Sequence, residues 1–190
     1  MEAHKVHHLT RRELSDRRTV EEYKSVTTKF LHEHDYFDGA IRCGGMSWSQ
    51  GGETTGSIGF VVSTVEGDEY IRFQYTQTDR HTGEKTDLDY KARLTWTPCY
   101  FGGRRWWFIC PLVVNGHVCT RRVGTLYLGN GKYFGCRHCY NLTYRCQKEH
   151  DSRVDALIKN PEMLLSKLKD GDLRGSLLVL KAYSKMAGKM

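Results

Sequence analysis

Cys110-Pro111-Leu112-Val113-Val114-Asn115-Gly116-His117-Val118-Cys119 and Cys136-Arg137-His138-Cys139 together hold four of the seven cysteines. The second stretch is C-x-x-C, a spacing from which two thiolates reach one ion out of a single tight turn. A tetrahedral zinc ion takes four ligands of this kind, at about 2.3 Å from each sulfur. Cys110, Cys119, Cys136 and Cys139 are therefore the predicted ligand set, with His117 and His138 as possible replacements for a cysteine. Four thiolates leave no open position for water, which marks a structural rather than a catalytic ion. Between the pairs, Arg122, Gly124, Leu126 and Leu128 alternate with Arg121, Val123, Thr125 and Tyr127. Gly129-Asn130-Gly131 supplies a turn and Lys132-Tyr133-Phe134 a return strand. Two metal-binding turns joined by a hairpin make a zinc ribbon.

Working outward, charge is the next signal. The net charge is +7, yet no Asp or Glu occurs between Asp89 and Glu149, an interval with ten Lys and Arg. Such a local field favours polyanions or an acidic protein surface. Within it, Arg104-Arg105-Trp106-Trp107-Phe108 interleaves cations with aromatics, the composition of a single-stranded nucleic-acid surface. The competing reading is core tryptophans capped by cation–π contacts. Odd cysteine count and metal-like spacing point to a reducing, cytoplasmic setting. There is no apolar run of membrane-spanning length and no apolar leader.

The segments before the cysteines read as a sheet. Ile58, Phe60 and Val62 alternate with polar or small neighbours; Glu66-Gly67-Asp68 turns the chain; Ile71, Phe73 and Tyr75 return. Leu88, Tyr90, Ala92, Leu94 and Trp96 face one way and Asp87, Asp89, Lys91, Arg93 and Thr95 the other, as in an antiparallel sheet with one wet face. Residues 40–56, rich in Gly and Ser, read as an irregular connection with Trp48 as a plug over the core. Thr19-Val20-Glu21-Glu22 is a capping box opening a helix to about His34. His4, His7 and His8 lie in a polar terminal stretch, read as solvated. Beyond Tyr144 the chain reads as helices: 147–159, a second begun by Asn160-Pro161-Glu162 and ended by Gly171, and a third capped by Asp172 with Leu173, Leu177, Leu180 and Tyr183 on its apolar side.

The expected architecture is α+β: an antiparallel β-sheet with an inserted or appended zinc ribbon, an N-terminal helix and C-terminal helices. The expected divisions are 1–38 (N-terminal helical segment), 39–109 (sheet), 110–146 (zinc ribbon) and 147–190 (helices).

Thr95-Trp96-Thr97-Pro98-Cys99, Phe101-Gly102-Gly103-Arg104, Trp107-Phe108-Ile109-Cys110-Pro111, Arg121-Arg122-Val123, Leu126-Tyr127, Phe134-x-Cys136-Arg137-x-Cys139 and Leu142-x-Tyr144 resemble a family of uncharacterised bacterial zinc-ribbon proteins, often associated with phages and mobile elements. The resemblance implies an origin more than an activity. It also implies a short C-P-x-x-C-G-like first turn, which residues 112–118 lengthen here.

The first functional expectation is a non-enzymatic, zinc-containing protein that binds DNA or RNA. Its binding residues would be Arg104, Arg105, Trp106, Trp107, Arg121, Arg122, Lys132, Tyr133 and Arg137. The second is a phage or mobile-element inhibitor or regulator that docks on the acidic surface of another protein, host-defence proteins included. No G-x-S-x-G, H-E-x-x-H or phosphate loop points to an enzyme, and no catalytic residue is assigned. Asp87 and Asp89 share a strand face but read as solvated.

Overall fold

The computed structural model describes residues 17–78, 82–129, 132–160, 162–163, 166 and 173–187. The chain forms two compact units, divided in sequence between Tyr144 and Arg145. The first contains the N-terminal segment, the sheet and all four paired cysteines as one body.

Its frame is an antiparallel meander: β2 (Ile41–Gln50), β3 (Glu53–Val65), β4 (Asp68–Thr78), β5 (Lys85–Pro98), β6 (Arg104–Ile109) and, paired last, β9 (Arg122–Val123). The period of two explains why it has two faces. Phe60, Val62, Ile71, Phe73, Ala92, Leu94, Trp106 and Phe108 form a buried inner face. A smaller sheet, ordered β1 (Ser25–Thr27), β10 (Thr125–Leu128), β11 (Phe134–Gly135), covers that face together with α1 (Thr28–Glu33). Val26, Leu31, Leu126 and Phe134 are the covering side chains. The result is α+β and mostly antiparallel, as expected.

Two local expectations are corrected. The capping box at Thr19 exists, with Glu22 Oε1 accepting from the Thr19 amide and hydroxyl. It opens only a 3₁₀ turn, Val20–Glu22, after which the chain enters β1. The true helix start is Thr27, whose Oγ1 accepts from the Phe30 amide at 3.0 Å. Residues 40–56 are not an irregular connection but a strand and its turn. Gly51 and Gly52, both at positive φ, reverse the chain between β2 and β3. Gly44 and Gly45 are strand positions where a neighbour approaches closely. A Cβ on Gly44 would lie less than 3.0 Å from the Tyr36 ring. Trp48 does pack on the core, stacked near Phe134 with ring centroids 6.2 Å apart.

Among the described residues, the second unit contains α2 (Arg145–Lys148), α3 (Ser152–Lys159) and α4 (Leu173–Ala187), and Glu162, Met163 and Ser166 are also helical. The helix expected over 147–159 is interrupted, because Asp151 caps α3 by accepting from the Arg153 amide. Val154 and Leu157 pack against Val179 and Ala182. Leu177, Leu180 and Tyr183 are exposed, so α4 buries a different side from the one expected. Among the described residues, no helix is long and apolar enough to cross a membrane. His4, His7, His8, Asn130, Gly131, Pro161, Gly171 and Asp172 lie outside the described residues, as does the Leu173 side chain.

Tyr36 is wedged between the Gly44 backbone and Phe60, meeting the latter ring edge-on at 4.9 Å. Gly44→Val is expected to expel the ring and cost about 1–3 kcal/mol in urea unfolding, as overpacking does. Gly59→Ala, whose added Cβ would meet only the Gln74 carbonyl at 3.6 Å, is expected to cost distinctly less.

Candidate metal centre and basic face

Four sulfurs converge at one end of β6. Cys110 follows β6 directly and its amide donates to the Arg121 carbonyl at 3.0 Å. Residues 113–118 then fold back on themselves as β7 (Val113–Val114) and β8 (His117–Val118), turned by Asn115 and Gly116 at φ 51° and 78°. The Cys119 amide closes this hairpin onto the Leu112 carbonyl at 2.8 Å. So the eight residues between the first two cysteines form a self-contained arm, and its base brings Cys119 back beside Cys110. Asn-Gly between apolar pairs is a strong hairpin signal that sequence reading could have used. Cys136 follows β11, and a turn carries the chain on to Cys139, with the Tyr140 amide bonding the Cys136 carbonyl at 3.3 Å.

The Sγ atoms of Cys110, Cys119, Cys136 and Cys139 all lie within 4.8 Å of one another. The separations Cys110–Cys139, Cys119–Cys136 and Cys136–Cys139 are 3.8, 3.9 and 3.5 Å. These are too long for disulfides, whose sulfurs sit about 2.05 Å apart. They match the edges of a tetrahedron, which for metal–sulfur bonds of about 2.3 Å measure about 3.8 Å. Cys110 and Cys136 are buried, Cys119 and Cys139 partly so. His117 and His138 are outside the cluster, which among the described residues is all-cysteine.

The electrostatics favour a cation. A hydrogen bond from the Cys110 thiol holds Cys136 down to about 4, with burial opposing and the Cys139 and His138 amides assisting. Donating that bond, together with burial, pushes Cys110 well up. Burial first, then bonds to Cys119 and Cys136, pushes Cys139 up to about 12. The thiols thus shift one another, sharing protons at close quarters. Replacing those protons with a single metal ion satisfies all four sulfurs at once. Arg121 adds a cation outside, its Nη1 4.0 Å from the Cys119 sulfur.

The nine residues expected to form one binding face are distributed over four places. Trp106 is core, 7% exposed and stacked on Phe37 with centroids 4.9 Å apart, so its ring is closed to a base. Arg104 lies on the same face of β6 and covers Trp96 at 4.4 Å. Arg105 and Trp107 point to the outer face, where Trp107 is half-buried and the guanidinium groups of Arg105 (5.7 Å) and Arg122 (5.6 Å) both lie against its ring. Its indole N–H donates to Thr97 Oγ1 at 3.0 Å, which fixes the ring. Arg121 and Arg137 belong to the cysteine site, Arg137 lying 4.9 Å over Tyr144. Lys132 and Tyr133 sit against Thr86 and Tyr90 near the other end of β5. Asp89 is engaged by Arg72 and Gln74, and Asp87 by Thr76, so both act as cross-strand partners.

No family model, curated protein or solved structure matches the chain.

Chelation is expected to lower the melting temperature of the purified protein, and Cys110→Ser or Cys136→Ser to abolish stoichiometric metal by elemental analysis. Cys43→Ser and Cys146→Ser, both at exposed positions, are expected to leave metal content and melting unchanged. Indifference to chelator and to the buried-cysteine variants would show the cluster to be four packed thiols.

Proposed function

We propose that the chain is a non-enzymatic, zinc-stabilised protein that binds nucleic acid through the outer face of β5, β6 and β9. Zinc is the fitting ion because the donors are all thiolates at single-ion spacing and the set is closed. An iron–sulfur cluster would need its cysteines held further apart, around an inorganic core. The observation that carries the binding reading is the Arg105–Trp107–Arg122 cluster on the outer sheet face, within a segment free of acids. Guanidinium groups neutralise phosphate and release counterions. The exposed part of the half-buried Trp107 indole beside them is aromatic surface that a base can meet. Arg93, on the same face one strand over, extends the positive strip.

A protein partner is the second reading, favoured by the arm of β7 and β8. Val113 and Val118, paired next to its base, are 60% and 65% exposed, an apolar surface suited to another protein's groove. A phage-type inhibitor or regulator would use it with the basic face as steering charge.

Arg105→Glu with Arg122→Glu is expected to abolish binding of a fluorescent oligonucleotide while metal content stays intact. Trp107→Ala should weaken binding by about 1–3 kcal/mol if its ring stacks on a base. Trp106→Ala should instead lower stability by about 3–5 kcal/mol, as removal of a core aromatic does. A folded, metal-loaded double charge reversal with undiminished affinity would refute the outer-face assignment.

A further inference from the structure

The turn between β5 and β6 ends in Tyr100 and Phe101, which are 96% and 97% exposed. Two adjacent aromatic side chains in nearly full contact with water present ring surface whose burial against a partner would be favourable. The turn is nevertheless well made. The Cys99 amide donates to the Gly103 carbonyl and the Gly102 amide to the Cys99 carbonyl, both at 3.1 Å. Gly102 and Gly103 take φ of 86° and 84°, a left-handed pair that other residues would resist. The two rings meet edge-to-face, 5.0 Å apart and 89° between planes. Immediately behind them, Trp96 is 37% exposed beneath the Arg104 guanidinium. Arg105 projects from the opposite face and leads to Trp107.

We infer that this tip binds unpaired bases, so that the ligand is single-stranded nucleic acid or an unpaired segment of a longer one. The inference rests on the nucleic-acid reading above and narrows it. The faces of bases in a duplex are occupied by their stacking neighbours. Two rings at right angles cannot lie together against a phosphate backbone, but one can stack on a flipped base while the other meets its edge. Arg104 and Arg105, on opposite sides of β6 and directly after the turn in sequence, supply positive charge for the phosphates on either side of such a base. No acidic residue of the surrounding segment opposes them. The tip and the outer face are continuous along β6, so one strand could pass from one to the other.

The test compares binding of labelled oligothymidine of about 15 nucleotides, within the span such surfaces cover, with that of a duplex of the same length. The wild type is expected to prefer the single strand by at least about tenfold. Tyr100→Ala with Phe101→Ala is expected to weaken single-strand binding by about tenfold to a hundredfold, the range for one or two lost stacking contacts. Duplex binding and the salt slope should hardly change, because no phosphate contact is removed. Tyr100→Trp with Phe101→Trp should retain the preference, and melting curves of both variants should match the wild type. Equal affinity for both forms, or an unaffected alanine variant, would overturn the tip assignment and leave the outer face standing. Failure of the wild type to bind either oligonucleotide would remove the nucleic-acid reading and this inference with it. Wild-type binding to anionic phosphatidylglycerol vesicles that is lost in the alanine variant, with oligonucleotide binding intact, would give the tip to lipid and overturn the inference as well.

Discussion

Two phenylalanines fix where the four-cysteine cluster stands. Phe108 and Phe134 are completely buried in the core of the first unit, and each precedes a buried cysteine, Cys110 or Cys136, by two residues. Because side chains two apart in extended chain share a face, the core and the ligand set form one continuous buried layer. Phe134 lies 4.9 Å from Phe73 and 5.8 Å from Tyr75, ring to ring. The cysteine module is therefore not a separate bead hung on the sheet. Moving the two buried sulfurs would disturb the packing against β4, and disturbing that packing would move the sulfurs. Such sharing of one layer explains how a ligand set with two buried members can be assembled from turns far apart in sequence.

The approach to Cys136 is secured by tyrosines as well as by the two-residue pairing of β11 with β10. Tyr90 Oη accepts from the Phe134 amide at 2.7 Å, Tyr75 Oη donates to the Lys132 carbonyl, and Tyr140 Oη donates to the Tyr133 carbonyl. Burial is the main reason that Tyr75 is pushed up to about 12, so its hydroxyl keeps its proton and its role as donor at any physiological pH. These hydroxyls satisfy backbone groups of three successive residues where a ladder ends. On the other side, the buried threonines Thr19 and Thr143 form a parallel bridge. There the Val20 amide bonds the Thr143 carbonyl at 2.8 Å. Gly135 sits in the crowded centre, where a Cβ would come within 3.0 Å of both Leu112 and Tyr140.

The sequence was most legible where one signal acted alone. The alternation over β5 and the paired cysteines led to the sheet and to the ligand cluster because burial and spacing agreed. It was least legible where glycine had two meanings. Gly44 and Gly45 resemble loop residues by composition, yet serve as strand positions that admit Tyr36, a tertiary fact no local pattern carries. In α4, Leu177, Leu178, Val179 and Leu180 are apolar nearly all round, so periodicity could not choose a side. Close approach to Val154 and Leu157 selected Val179 and the small Ala182 instead. The basic, aromatic stretch suffered from being treated as a block. Strand alternation sends Trp106 inward and Trp107 outward, which divides its residues between stability and surface.

The arm of β7 and β8 has a consequence for relatives of this chain. A hairpin lengthens by adding cross-strand pairs at its tip while its base stays put, and here the base is the bond between Leu112 and Cys119. Insertions or deletions of two residues near Asn115 would leave all four sulfurs where they are. The gap between the first two cysteines is thus free to drift during evolution, whereas Phe-x-Cys, which ties ligand to core, is not. Distant members of such a lineage are better recognised by that recurring dyad than by any fixed count between cysteines.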